Sequence, residues 1–218
     1  MIPVFITGTG TDIGKTIVSI IISNALQADY WKPVQVGDIG GTDKEQVRQF
    51  IGANNKCLPE VYHLSIPASP HIAARHEQTE IDLNRINEYF QEVKKNYSDS
   101  DYVVIEGAGG LLVPLNEREF VIDLILTLKA KVILVSRNYL GSINHSLLTA
   151  EVCRQRGVDV LGWVFNDEYM HYEEEIADWS GYPIIARIPK LENISREILS
   201  IQASLIRENL LRILEQVP

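Results

Sequence analysis

The chain contains no apolar run near the roughly 20 residues that a membrane-spanning helix needs, so a membrane protein is not expected. It has two cysteines, Cys57 and Cys153, far apart in sequence. Two separated thiols make neither a disulfide framework nor a metal-ligand spacing, which fits a reducing compartment. Basic residues are in the minority. Twenty Lys and Arg stand against 29 Asp and Glu, a formal net charge of -9. A nucleic-acid partner wants a basic face, so none is expected. A small anionic ligand stays open, because a local cradle can be positive on an acidic protein. There is no internal repeat, low-complexity tract or Gly/Ser/Pro linker. The apolar start has no basic flank and leads straight into a loop. It is read as a strand and not a signal peptide, and a soluble cytoplasmic protein is expected.

What is present suffices for a core. The 218 residues are 45% hydrophobic and 22% charged, which fits one folded domain over residues 1–218. Short apolar runs alternate with longer helical patterns. Strands are predicted at Val4–Thr7, Tyr30–Gln35, Tyr102–Glu106, Val132–Ser136, Leu161–Phe165 and Ile184–Ile188. Several are near-continuous in Val, Ile and Leu, as strands buried on both faces of a parallel sheet are. Helices are predicted at Lys15–Leu26, Asp43–Phe50, Asp82–Lys95, Ile143–Arg156, Tyr172–Trp179 and Ser195–Glu215, the last with Ser195 as N-cap. The stretch Lys56–Thr79, with its three prolines, reads as a long functional loop with one extra strand. The pattern implies an α/β fold with one doubly wound, mostly parallel sheet and ligands at the carboxyl ends of its strands.

The residues with most chemical content come first. A strand runs into Thr7-Gly8-Thr9-Gly10-Thr11-Asp12-Ile13-Gly14-Lys15-Thr16, and a helix follows at once. Backbone N–H groups of such a loop and helix N-terminus point at phosphates. Lys15 supplies a point charge, and the Thr16 hydroxyl suits Mg²⁺. The spacing departs from the general motif: Thr9 stands where its first glycine belongs, with Gly8 one place earlier.

Further candidates lie at strand ends. Lys32 sits within a predicted strand, where an unpaired ammonium is costly to bury. It reads either as a snorkelling edge lysine, which Pro33 would suit, or as a second cation beside Lys15. Glu106 ends a hydrophobic strand, the place of a second Mg²⁺ carboxylate, and Gly107-Ala108-Gly109-Gly110 would let backbone approach a ligand closely, a tight turn after the strand being the plain alternative. Asp43 is a further metal candidate, although a plain first-turn helix acid explains it as well. Asn166-Asp167 could read a purine base edge, yet alone it is best explained as a turn pair. His71 and His145 are given no proton-transfer role.

Taken together, the segments resemble dethiobiotin synthetases, the P-loop ATP-dependent carboxylases that close a ureido ring. The matching pieces run in family order. They are the phosphate loop with its shifted glycine, Lys32-Pro33-Val34-Gln35, Ser69-Pro70-His71, Glu106 to Gly110, Leu140-Gly141-Ser142-Ile143-Asn144-His145, and Gly162-Trp163-Val164-Phe165-Asn166-Asp167. The resemblance implies a homodimer with a shared active site, acting on 7,8-diaminononanoate and CO₂ with ATP and Mg²⁺. It implies catalytic roles for Lys15, Lys32 and Thr11. Asp12, Ile13, Gly14, Lys15, Thr16 and Ile17 would hold phosphates, and Asn166, Asp167, Pro189 and Glu192 the base. Thr11, Lys32, Val36, Gly107, Ala108 and Gly109 would meet substrate. Leu140, Gly141 and Asn144 would reach it from the neighbouring subunit. Thr16, Asp43 and Glu106 would hold Mg²⁺. Val36 departs from the family, whose pattern has a small hydroxyl residue there.

Two other readings differ in testable ways. An amide-forming relative would add a glutaminase domain with a nucleophilic cysteine, for which the length leaves no room. A partitioning-type switch ATPase carries an extra lysine early in its phosphate loop, where this chain has Gly8, Thr9 and Gly10.

Overall fold

A computed structural model describes residues 1–37, 40–96 and 100–216. The chain begins with strand β1 (Ile2–Gly8) and helix α1 (Lys15–Leu26), then β2 (Asp29–Trp31), β3 (Val34–Val36) and α2 (Asp43–Phe50). Next come β4 (Tyr62–Leu64), α3 (Pro70–His76), α4 (Leu83–Asn96) and β5 (Tyr102–Gly110). The rest is α5 (Val121–Leu128), β6 (Lys131–Arg137), α6 (Ser142–Gln155), β7 (Val160–Asn166), α7 (Glu173–Ser180), β8 (Ile184–Ile188) and α8 (Arg196–Gln216).

Six strands pair in parallel in the order β2-β5-β1-β6-β7-β8, with β3 and β4 as a separate parallel pair. Alternate side chains of the aliphatic strands enter two cores. Val4, Ile6, Val104 and Ile133 pack with α1 and α8 on one face. Phe5, Ile105, Val132 and Leu134 pack with α4 and α5 on the other. The indole of Trp31 stacks on Phe90 with centroids 5.7 Å apart. The chain leaving β1 turns toward β2, whereas the chain leaving β5 crosses to β6 on the far side of β1. Connections that part in opposite directions leave a crevice at the carboxyl ends of the strands between them. The phosphate loop, β5's end and β6's end all open there.

Four expectations need correction. Tyr30–Gln35 is not one strand: β2 joins the main sheet, β3 joins β4, and Lys32-Pro33 lies between. Proline has no N–H for a ladder and pushes the residue before it out of regular pairing. The strand predicted to end at Glu106 continues to Gly110, and its pairing with β1 shifts register on the way, from Ile6 opposite Glu106 to Gly8 opposite Gly110. The stretch Lys56–Thr79 carries a helix, α3, as well as the extra strand β4. Helix α5 was not foreseen, because an eight-residue apolar run carries no decisive period. The cap at Ser195 is present: its Oγ accepts from Ile198 N–H at 3.2 Å.

The shifted glycine has a steric reason. A Cβ on Gly8 would lie 2.1 Å from Ile13 Cδ1 and 2.5 Å from the Val135 carbonyl oxygen. The loop folds the Ile13 side chain back over β1, and only a glycine leaves room. Gly8→Ala should cost about 1–3 kcal/mol through overpacking, lowering the melting temperature by about 2–12 °C at this chain length. A calorimetric scan with the midpoint unchanged would refute the account.

Candidate active site

Helix α1 starts from Gly14, whose φ of +92° suits glycine. Its first residues, Lys15 and Thr16, therefore face the crevice. Lys15 Nζ donates to the Gly10 carbonyl at 2.6 Å, so the ammonium lies under its own loop. Burial is the largest influence on Lys15 and holds it below the ordinary lysine range. Glu106 pulls the other way, and Lys32 adds to the lowering.

Thr16 Oγ1 lies 2.7 Å from Asp43 Oδ1 and 3.0 Å from Glu106 Oε1. Its single proton can serve one carboxylate at a time. Lys32 Nζ donates to Asp43 Oδ2 at 2.6 Å and to Glu106 Oε1 at 3.1 Å. Lys32 is 6% exposed and Glu106 1%. Lys32 is thus a buried cation between two acids and not a snorkelling edge lysine. Burial by itself would lower its pKa. Glu106 and Asp43 together overcome that and hold Lys32 above its ordinary value. Burial would raise Asp43, but the Lys32 charge and the hydrogen bonds from Lys32 and Thr16 win, leaving it below the usual carboxylate range.

Asp43 owes its place to local structure. Thr42 caps α2 through a capping box, its hydroxyl accepting from Glu45 N–H while the Glu45 carboxylate accepts from Thr42 N–H. Lys44 pairs with Glu60 and ties α2 to the segment before β4. One residue at the site escaped the reading of the sequence. Tyr30 OH donates to Glu106 Oε2 at 3.0 Å. An aromatic in a short strand gave no chemical signal; the neighbouring strand makes it one.

Asn166, at the end of β7, donates its amide Nδ2 to the Ile13 carbonyl at 3.0 Å. A Cβ on Gly14 would lie 2.0 Å from that nitrogen. Asp167 N–H reaches the Ile188 carbonyl at 3.1 Å, which joins the ends of β7 and β8 just before Pro189 and Glu192. Thr11 and Asp12 are exposed, Ile13 is buried, and Ile17 is half-buried. Leu140 is 88% exposed. Gly141 caps α6, and Asn144 lies exposed on its first turn. Among the described residues no hydrogen bond joins these three to the Lys32 cluster. Val36 ends β3, half-buried against the α4–α5 core. His71 Nδ1 lies 3.1 Å from Ser69 Oγ and His145 Nδ1 2.6 Å from Tyr139 OH, so each has a local partner. Burial pushes the thiols of Cys57 and Cys153 up to about 11 and about 12, far from a nucleophile's range.

The hydroxyl of Thr16 and the carboxylates of Asp43 and Glu106 are all hard oxygen donors, a set that fits Mg²⁺ held jointly with phosphate. Among the described residues no cluster of three His, Cys, Asp or Glu forms a protein-only metal cage. A cavity of about 670 Å³ lined by Gly41, Thr42, Asp43, Phe50 and Ile194 borders the site. Another of about 730 Å³, around Asp29, Asn55 and Arg207, lies at the amino ends of the strands, away from this chemistry.

A family model described as an AAA domain matches residues 3–198. The ATP-dependent dethiobiotin synthetase of Cytophaga hutchinsonii is 44% identical over 207 residues, covering 94% of this chain and 97% of that protein. The chain belongs to the ATP-dependent dethiobiotin synthetase family. The synthetase of Christiangramia forsetii is 39% identical, covering 96% of this chain and 98% of its own. Solved structures share the synthetase fold at low identity. The cell division ATPase MinD of Pyrococcus furiosus has a TM-score of 0.60 at 16% identity, covering all of both chains. A ParA family ATPase from Chlorobium tepidum has 0.56 at 14%, covering 99% and 93%. These likenesses show the fold alone. Among the described residues no helix is long and apolar enough to cross a membrane.

The lowered Asp43 pKa makes a pH prediction. Its ionised form stabilises the folded chain fully above the unfolded value of about 4, and the benefit is lost as pH falls toward the lower folded value. Asp43→Asn should be less stable than the parent at pH 7, and the gap should close as pH drops below about 4. Urea unfolding of both chains from pH 7 to pH 3 checks this, and a gap independent of pH would contradict it.

Proposed function

We propose that the chain catalyses the ATP-dependent closure of 7,8-diaminononanoate with CO₂ to dethiobiotin, as a cytoplasmic homodimer whose site is shared between subunits. The convergence of Thr16, Lys32, Asp43 and Glu106 beside the phosphate loop carries this reading, together with near-full-length likeness to named synthetases. One amine captures CO₂ as a carbamate and loses a proton. The carbamate oxygen attacks the γ-phosphorus of ATP, and ADP leaves. The second amine then attacks the carbonyl carbon of the mixed carbamic–phosphoric anhydride, expels phosphate and closes the ring.

No covalent enzyme intermediate is required, so the protein's part is positioning and charge stabilisation. Lys15 would leave the Gly10 carbonyl for the terminal phosphates. Lys32, already charged and buried between Asp43 and Glu106, would face the carbamate and the transferring phosphoryl group. Thr16, Asp43 and Glu106 would hold Mg²⁺, which neutralises phosphate charge when bound. Asp12 to Ile17 would wrap the phosphates, Ile13 by its backbone because its side chain is buried. Asn166, Asp167, Pro189 and Glu192 would surround the base. Thr11 and the β5 backbone at Gly107, Ala108 and Gly109 would line the diamine, with Val36 giving apolar contact only. Leu140, Gly141 and Asn144, turned to solvent in one chain, would complete the partner's site at its carboxylate, aided by the free N–H groups of α6.

Purified protein with MgATP, bicarbonate and 7,8-diaminononanoate should yield dethiobiotin by mass only when all three are present. Lys32→Ala should cut kcat by about 10²–10³-fold, the range for removing a group that faces developing charge. Steady ATP hydrolysis indifferent to the diamine would overturn the reaction and leave a switch ATPase. Asn144→Ala should raise KM for the diamine and leave that for ATP nearly unchanged. The reverse pattern would remove the shared site.

A further inference from the structure

Glu106 has two carboxylate oxygens, and the structure gives them separate duties. Oε1 faces Lys32 at 3.1 Å and Thr16 at 3.0 Å. Oε2 accepts from Tyr30 OH at 3.0 Å. The contact follows from strand register. Tyr30 stands opposite Val104 in the β2–β5 ladder, so Glu106 is its diagonal neighbour on the same face of the sheet. Diagonal pairs lie within reach of an aromatic side chain.

The phenol has little freedom. Tyr30 is fully buried, its ring in the α1–α8 core among Ile and Val side chains. Its backbone is gripped on both sides by the segment after α2: Tyr30 N–H donates to the Lys56 carbonyl and Leu58 N–H to the Tyr30 carbonyl, both at 2.8 Å. A buried phenol needs an acceptor, and Glu106 supplies one. A carboxylate at the end of a strand could rotate about its side-chain bonds. Held at one oxygen by a rigid donor, it presents the other in one direction only.

We propose that Tyr30 is a positioning residue: its hydroxyl fixes Glu106 so that a single oxygen, Oε1, is offered to the cation that accompanies ATP. The inference rests on the role given to Glu106 above. Partners behind a metal ligand typically change metal affinity or activity by about 10–100-fold when removed. Tyr30→Phe keeps the ring that fills the core and removes only the donor.

The test is a double-mutant cycle read by Mn²⁺ binding in the presence of ADP, followed by electron paramagnetic resonance. Tyr30→Phe should weaken Mn²⁺ binding by about 10-fold or more in the parent chain, and by little in a Glu106→Gln background, because the two groups act as one unit. In turnover, kcat should fall with the diamine KM within about twofold. An equal loss in both backgrounds, or none in either, overturns the proposal. The parent chain gives a measurement without mutation: the buried Tyr30 hydroxyl proton should shift by NMR when Mg²⁺ and ADP are added together, and an unmoved resonance argues against it. Because the binding cycle uses no diamine, a chain that passes it yet forms no dethiobiotin refutes the reaction and leaves Tyr30's role intact. Dethiobiotin formation with Mn²⁺ binding untouched by Tyr30→Phe does the opposite.

Discussion

The site depends on keeping two carboxylates within hydrogen-bond reach of one hydroxyl and one ammonium in a largely dry place. Asp43 and Glu106 come from different elements, a helix N-terminus and the end of a central strand. Without a cation between them, one would have to take up a proton or turn away. Lys32 prevents both, and it is buried so deeply that it is worthless elsewhere. Breaking such a pair typically costs about 3–5 kcal/mol, because the remaining charge is stranded. The capping box at Thr42, the tether from Lys44 to Glu60 and the phenol of Tyr30 all serve to hold the acids where that cation can meet them.

Backbone irregularity makes this arrangement possible. Lys32 would point along a sheet face if β2 continued. β2 ends at Trp31, and Pro33 sends the chain on into the β3–β4 pair. The lysine is thus delivered at a strand's last turn of direction, beside the carboxyl end of β5, which runs on past Glu106. The same edge receives the phosphate loop from β1. Three segments distant in sequence are brought to one point by the order β2-β5-β1 and the break at Pro33.

Much of this was legible beforehand, for physical reasons that differ by element. The phosphate loop was readable because strand, glycines, Lys15, Thr16 and helix are contiguous. β6 was readable because both its faces are covered, leaving the aliphatic run Val132 to Val135, and β7 and β8 were readable as short apolar runs between helical patterns although they carry Trp163, Phe165 and the exposed Arg187. Helix α5 was opaque because Leu126 puts an apolar residue on its exposed face, so the short run Val121–Leu128 hides the one-sided burial of Val121, Ile122, Leu124, Ile125 and Leu128. The broken strand at Lys32-Pro33 was opaque because its residues have strand character on both sides of the break. Asp43 looked like an ordinary helix-start acid, and it is one. Its second duty exists only through Thr16 and Lys32, which sequence does not place beside it. Tyr30 was invisible for the same reason, since its partner lies 76 residues away.

The amide of Asn166 has a consequence for how this protein can change over generations. One side chain bolts the end of β7 to the Ile13 carbonyl and packs against the bare α-carbon of Gly14. A substitution at 166 that alters what is met beyond the loop also loosens the loop, and one that enlarges residue 14 strikes the amide. The two positions are therefore locked as a pair. Neither can change alone without disturbing the loop that opens α1.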